Sequence, residues 1–305
     1  MQNLADLEAG TRIAVGCSGG ADSLALVRAA VHVGRERSMS VAALVIDHQL
    51  QEGSAGVAQR AAQVARDLGA DPVIVEAVDV AHGPGSGGLE AAARDARRKV
   101  FEQYARTHGV AAVLLGHTLE DQAETVLLGL ARGSGARSLS GMRAVDGLYR
   151  RPFLGLSREL VRGTVSDLAA YEDPHNINPQ FARVRVRHEL LPALESELGP
   201  GITQALARTA DMLRADADAL DDLADAVMTS EKTDVDDLLL LSSAVRTRVL
   251  RRLAAQAGCT VNHLTREHIM SIDALLTNWH GQGPINLPGN VDVQRRHGRL
   301  NFYKT

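Results

Sequence analysis

Apolar and polar positions keep two alternating rhythms through the first half of the chain. Thr11-Arg12-Ile13-Ala14-Val15 is a short apolar run, and Leu24, Val27 and Val31 then recur at helical spacing. Val41-Ala42-Ala43-Leu44-Val45-Ile46 is continuously apolar, as a parallel strand covered on both faces requires, and it closes on Asp47-His48. Val57, Ala61, Val64 and Leu68 trace a helix, and Pro72-Val73-Ile74-Val75 resumes the sheet. After a glycine-rich stretch over 83–88, read as a flexible break, Leu89 opens a helix with Ala93, Ala96, Val100 and Tyr104 on one stripe. A strand over 110–115 follows. This βαβα order predicts an α/β fold with a doubly wound parallel sheet, whose ligands sit beyond the carboxyl ends of the strands.

Further on, the helix after residue 118 stops at Gly133-Ser134-Gly135, read as a mobile hinge between Arg132 and Arg137. Tyr149-Arg150-Arg151-Pro152-Phe153 predicts an edge strand ended by proline. Ser157 is placed to cap a helix, and Glu172-Asp173-Pro174-His175-Asn176 is a polar turn. Beyond Gly199-Pro200-Gly201, a long helix carries Asp211, Asp216, Asp218, Asp221, Asp222 and Asp225, the pattern of a connecting arm solvated on one side. Two more helices are predicted over 245–257 and 265–276, and short strands over 283–289 and 299–303. The chain therefore divides into an α/β domain, residues 1–200, and a mainly helical domain, residues 201–305.

Composition narrows this picture. Hydrophobic residues make up 45% but aromatics only 3%, so the core must be aliphatic and rich in alanine. The net charge of −4 means that a polyanion would meet a local basic patch, not the field of the whole protein. Arg295, Arg296 and Arg299 are read as ordinary surface. The first residues lack a basic region followed by an apolar one, and no stretch is apolar enough to span a bilayer, so a cytoplasmic protein is expected. Cys17 and Cys259 form no C-x-x-C pair and are expected to be reduced, with Cys17 packed at a strand end.

Three stretches carry candidate chemistry. In Ser18-Gly19-Gly20-Ala21-Asp22-Ser23 a strand turns through glycines into a helix, aiming backbone N–H groups and the positive helix end at one point. Phosphate suits that point, although the pattern is neither Walker A nor G-x-G-x-x-G. Asp47-His48 and Gly116-His117 fall at neighbouring strand ends. In His117-Thr-Leu-Glu-Asp-Gln-Ala-Glu-Thr125, Thr118 and Asp121 fit a capping box, while Asp121 and Glu124 share one helix face and suit a cation, Mg²⁺ or an ammonium group. Arg183-Val184-Arg185-Val186-Arg187 is equally a solvated basic face or a clamp on phosphates.

Ser18 to Ser23 resembles the PP-loop of the N-type ATP pyrophosphatases. Asp47-His48, Glu90 with Arg94 and Arg97, the His117–Thr125 block, Arg132-Gly-Ser-Gly135, Leu139-Ser-Gly-Met142, Arg151-Pro152, Glu172-Asp-Pro-His-Asn176 and the arginine run follow it in order. Over roughly residues 10 to 195 the chain resembles the tRNA(Ile)-lysidine synthetases, in a short form without a further terminal domain. The resemblance implies a Rossmann-like PP-loop ATPase fold and a ligase that adenylates the wobble cytidine of tRNA(Ile) bearing a CAU anticodon. Free L-lysine then displaces AMP. It assigns ATP to Ser18, Gly19, Gly20, Ala21, Asp22, Ser23, Asp47, His48, Gly116 and His117, and Mg²⁺ to Asp22. Asp22, Asp121, Glu124 and Arg185 would be catalytic, and Arg94, Arg97, Arg132, Arg183 and Arg187 would bind phosphate or tRNA. Gln49-Leu50-Gln51 replaces the usual Gly-Leu-Arg, which removes a basic contact, and Val184 stands where asparagine is common. Another PP-loop tRNA-modifying or nucleotide-aminating enzyme, and a noncatalytic RNA-binding protein, remain as alternatives, and a homodimer is left open.

Overall fold

A computed structural model describes residues 4–51, 53–80, 89–133, 135–230 and 234–305. The break over 83–88, Ser134 and the Glu90 side chain lie outside the described residues. The chain forms two compact units, Met1–Asp211 and Met212–Thr305.

The first unit holds six strands: β1 (Arg12–Gly16), β2 (Ser40–Asp47), β3 (Val73–Ala77), β4 (Val110–Leu114), β5 (Val145–Asp146) and β6 (Tyr149–Arg150). Its helices are α1 (Ala21–Glu36), α2 (Ser54–Asp67), α3 (Leu89–His108), α4 (Leu119–Ala131), α5 (Ala136–Leu139), α6 (Arg158–Gly163), α7 (Ala182–Arg185) and α8 (Leu191–Leu198). A 3-10 turn, Pro174–Ile177, and a π-helical turn, Val186–Leu190, complete it. The start of α9 (Ile202–Thr229) belongs to this unit, and its remainder to the second.

The sheet order is β3-β2-β1-β4-β6-β5, parallel throughout except for β5 against β6. Burial on both faces explains the continuous apolar strands. Ile13 and Val15 of β1, with Val41, Ala43 and Val45 of β2, pack toward Leu24 and Val27 of α1. The alternate residues Ala14, Ala42 and Leu44 pack toward Phe101 and Tyr104 of α3. The chain runs outward from β1 through β2 to β3, then crosses back to β4 on the other side of β1. That reversal opens a crevice beyond the ends of β1 and β4.

One expectation about the sheet needs correcting. The segment at Tyr149 is no edge strand: β6 lies between β4 and β5, because the chain turns tightly through Gly147, at φ +56°, and places Val145–Asp146 outermost.

In the second unit, α10 (Val235–Leu239), α11 (Ser243–Gln256) and α12 (Arg266–Thr277) pack Leu238, Leu250, Ile272 and Leu275 against Leu287, Val291 and Val293. The last three belong to an antiparallel sheet of β7 (Ile285–Leu287), β8 (Val291–Arg296) and β9 (Arg299–Lys304). Acids of α9 are not simply solvated, since Asp225 accepts from Arg252 Nε at 2.6 Å and Asp221 from Arg248 Nε at 3.1 Å. Arg295 lies over the Trp279 ring and Arg299 pairs with Asp234 at 2.7 Å. Both cysteines are free and buried. Among the described residues, no helix is long and apolar enough to cross a membrane.

Glu195 of α8 caps the start of α9. Its carboxylate accepts from the N–H groups of Gly201 at 2.6 Å and Thr203 at 2.8 Å, and from the Thr203 hydroxyl at 2.7 Å. These bonds pull its pKa down to about 2. A depressed folded pKa means that the stabilisation is complete above the unfolded value of 4.5 and is lost as the pH falls through about 2. Urea midpoints of the wild-type and Glu195→Gln proteins are therefore expected to differ at pH 7 and to converge steadily below pH 4.5.

Candidate active site

The crevice is a cleft of about 720 Å³ at the ends of β1, β2 and β4. Its floor is the turn from β1 into α1. Gly19 sits at φ +82°, and a Cβ there would stand 2.8 Å from that of Ala61, so neither the conformation nor the space admits a side chain. The Gly19 carbonyl accepts from Tyr171 N–H at 2.9 Å, the Ser23 hydroxyl donates to the Gly20 carbonyl at 2.8 Å, and Ser18 N–H donates to Ser23 Oγ at 3.2 Å. The loop is thus held in shape while the free N–H groups opening α1 face the cleft, where an anion gains both hydrogen bonds and the helix dipole. Gly116 works differently. A Cβ on it would stand 2.9 Å from the Asp22 carbonyl oxygen, so its bareness lets the end of β4 approach α1.

Ser18, Gly20, Ala21, Asp22, Ser23, Asp47, His48, Gly116 and His117 all line this cleft, and Gly19 lies in the same turn. Asp47 Oδ1 accepts from Gln49 N–H at 2.9 Å. Gln51 turns to the Glu172–Asn176 block, with Nε2 2.6 Å from His175 Nδ1. Burial, with Arg97 nearby, lowers the pKa of His48. His117 falls to about 3, chiefly by burial and further by Arg151, Arg97 and Arg183 against the opposing pull of Asp121. Each ring keeps a buried Nδ1 with no hydrogen-bond partner. Both imidazoles are therefore neutral at physiological pH.

Asp121 and Glu124 do share a face of α4, and both are buried. Asp121 is both a helix cap and an ion-pair partner. Its Oδ2 accepts from Thr118 N–H at 2.8 Å and from the Thr118 hydroxyl at 3.1 Å, closing the capping box, while Oδ1 faces the cleft. Three guanidinium groups meet the pair. Arg158 Nη2 lies 3.0 Å from Asp121 Oδ1 and 3.4 Å from Glu124 Oε1. Arg183 Nε lies 2.9 Å from Glu124 Oε2. Arg187 reaches Asp121 Oδ1 at 3.0 Å and Glu124 Oε1 at 2.7 Å. Burial works against ionised Asp121, but Arg158 and the Thr118 N–H outweigh it and hold the carboxyl below the usual range. Asp22 shows the opposite balance. Burial raises its pKa even though Arg162 stands 3.3 Å and Arg158 3.8 Å away.

The structure does not bring every expected arginine here. Arg185 turns away and donates to the carbonyls of Pro179 at 2.6 Å and Gln180 at 3.0 Å. Arg94 and Arg132 are exposed and, unlike Arg97, do not line the cleft. Conversely, Arg158 and Arg162 had escaped sequence reasoning, although their four-residue spacing on a helix capped by Ser157 puts both on one face. Glu120 fixes that helix by accepting from Arg158 N–H with both carboxylate oxygens, at 3.0 and 2.9 Å.

Mg²⁺ typically takes one or two carboxylates together with substrate phosphates. Among the described residues, no three His, Cys, Asp or Glu side chains are grouped to hold a metal. Asp22, with a quarter of its side chain exposed, offers one carboxylate beside the phosphate-receiving turn. That donor set fits a metal carried in with a nucleotide, not a cage built by protein alone.

Residues 1–194 match the PP-loop domain family, and residues 234–300 match the TilS substrate binding domain. A tRNA(Ile)-lysidine synthase of Thermobifida fusca is 50% identical over 304 residues, covering 97% of this chain and 93% of that protein. One from Streptomyces coelicolor is 49% identical, covering 94% and 84%. Among solved structures, a U34-tRNA thiolase from Methanococcus maripaludis shares the fold, with a TM-score of 0.54 at 16% identity over 70% of this chain and 76% of its own. By identity sustained along nearly its whole length, the chain belongs to the tRNA(Ile)-lysidine synthase family.

Proposed function

We propose that the chain ligates free L-lysine to C2 of the wobble cytidine of tRNA(Ile) bearing a CAU anticodon, consuming ATP and releasing AMP and pyrophosphate. The observation that carries this reading is the meeting, at one cleft, of the turn from β1 into α1 and the Asp121 carboxylate, which Arg158 and Arg187 pair there and which has the fully buried Glu124 behind it. Each component answers a chemical need. The C2 oxygen of cytidine is a poor leaving group until it has attacked the α-phosphate of ATP and become adenylated. As pyrophosphate departs, the N–H groups opening α1 receive its growing charge. Arg187 and Arg158, which line the cleft, are placed for phosphate oxygens, and Arg187 takes the part that Arg185 is turned away from.

Lysine then attacks C2, and AMP leaves with the former C2 oxygen. The amine arrives as an ammonium with a reference pKa of ~10.4 and must lose a proton before it can attack. Asp121 and Glu124 bind that ammonium, and one of them accepts the proton. His117, neutral with its pKa near 3, contributes a hydrogen bond and no charge. Asp22 would hold Mg²⁺, which when bound supplies positive charge to the phosphates.

Two outcomes test this reading. Pyrophosphate release from ATP should require a tRNA(Ile) transcript with the CAU anticodon. Asp121→Asn should then slow lysine transfer by at least about 100-fold, the usual weight of an acid–base group, with ATP affinity little changed. Radiolabelled lysine incorporation against nucleotide binding separates the two effects, and an unchanged transfer rate would refute the lysine role. For the metal, Asp22→Asn should raise the Mg²⁺ concentration that half-saturates pyrophosphate release by about tenfold, the worth of one charge-assisted contact of roughly 1.4 kcal/mol.

A further inference from the structure

An ionised carboxylate offers two oxygens and about four lone-pair positions. In Glu124 every one is taken. Oε1 accepts from Arg158 Nη2 at 3.4 Å and Arg187 Nε at 2.7 Å, and Oε2 from Arg183 Nε at 2.9 Å and Arg187 Nη2 at 3.0 Å. Asp121 is filled as completely. Its Oδ2 is held by Thr118, and its Oδ1 accepts from Arg158 Nη2 and Arg187 Nη2, both at 3.0 Å. An ammonium group approaching these acids finds no acceptor position left. It binds only if a guanidinium leaves, and a guanidinium leaves a buried carboxylate only for another anion.

The three arginines are not equivalent in this respect. Arg183 also donates to the Thr125 hydroxyl at 2.9 Å and does not line the cleft, so it stays with α4. Arg158 and Arg187 do line it, together with Ser18, Gly20 and Ser23 of the phosphate-receiving turn. Arg158 also keeps a buried Nε with no hydrogen-bond partner, so its fork has capacity unused in this state.

Resting on the reading that Asp121 and Glu124 receive lysine, we propose that Arg158 and Arg187 keep both acids closed to ammonium until phosphate takes their guanidinium groups, so that lysine enters only after ATP. Arg158 binds phosphate directly in this scheme. Its transfer from carboxylate to phosphate vacates one position on each acid, and transfer of Arg187 vacates three more. The exchange substitutes ammonium for guanidinium on the acids and phosphate for carboxylate on the arginines, leaving no buried charge unmatched.

Equilibrium dialysis of radiolabelled L-lysine tests this with the unaltered chain. Lysine affinity should rise at least tenfold when α,β-methylene ATP, which cannot release pyrophosphate, is added with tRNA(Ile). Arg158→Gln should bind lysine measurably without nucleotide, with a far smaller gain on adding it, a change in coupling that mere loss of packing would not produce. Equal lysine affinity with and without nucleotide in the wild-type protein overturns the proposal. Glu124→Gln then separates the two layers. If it abolishes that equal binding, the acids are still the lysine site and only the ordering fails, whereas binding that survives it removes the site itself. Lysine binding in neither state overturns both.

Discussion

Glu124 has no exposed side-chain surface, and an ion in that position must be compensated where it stands. Desolvating a carboxylate costs several kcal/mol even after the surroundings relax, and only close cations with satisfied hydrogen bonds return it. Here the compensation comes from α6, from α7 and from the π-helical turn that follows, segments 34 to 63 residues distant along the chain. One buried acid therefore fastens three short helical stretches to α4. The cleft keeps its shape because releasing any of those stretches would strand a charge.

Backbone geometry decides which arginines take part. In a strand, alternate residues share a face, so Arg183, Arg185 and Arg187 would point the same way. The segment is helical instead, and on a helix residues four apart are neighbours while residues two apart are not. Arg183 and Arg187 accordingly meet Glu124, and Arg185 meets the carbonyls of Pro179 and Gln180. The wide turn over Val186–Leu190 falls at this point, as π-helical turns often do at functional sites. Its buried Val186 packs with Ala123 of α4, which sets the arginine-bearing segment against the acids by apolar contact as well as by charge.

Much of this could be read from the amino-acid order, and the limits have physical causes. β1 and β2 are buried on both faces, so their uninterrupted apolar runs announce parallel strands, and the glycines after β1 announce the turn that only a bare backbone fits. Asp121 and Glu124 were legible because helical spacing is a local property. Arg158 and Arg162 were not, because their partners lie 34 to 140 residues away and no local pattern encodes a distant ion pair. The order of β5 and β6 was lost for a similar reason, since two-residue strands carry too little pattern to tell an edge from its neighbour. β8 escaped as well, because Val291 and Val293 alternate for only two buried positions before the run turns to Arg295 and Arg296.

The distribution of charge reconciles an acidic protein with polyanionic substrates. A net charge of −4 sets no attractive field around the whole molecule, yet Arg158, Arg162 and Arg187 line the cleft beside Asp22 and Asp121, with Arg183 and Glu124 behind them. Arg158 and Arg187, unlike the half-exposed Arg162, are largely buried and occupied by carboxylates of the chain itself. The same acids brace the cleft from within by ion pairs to several segments, which explains how a site so rich in ions can be stable.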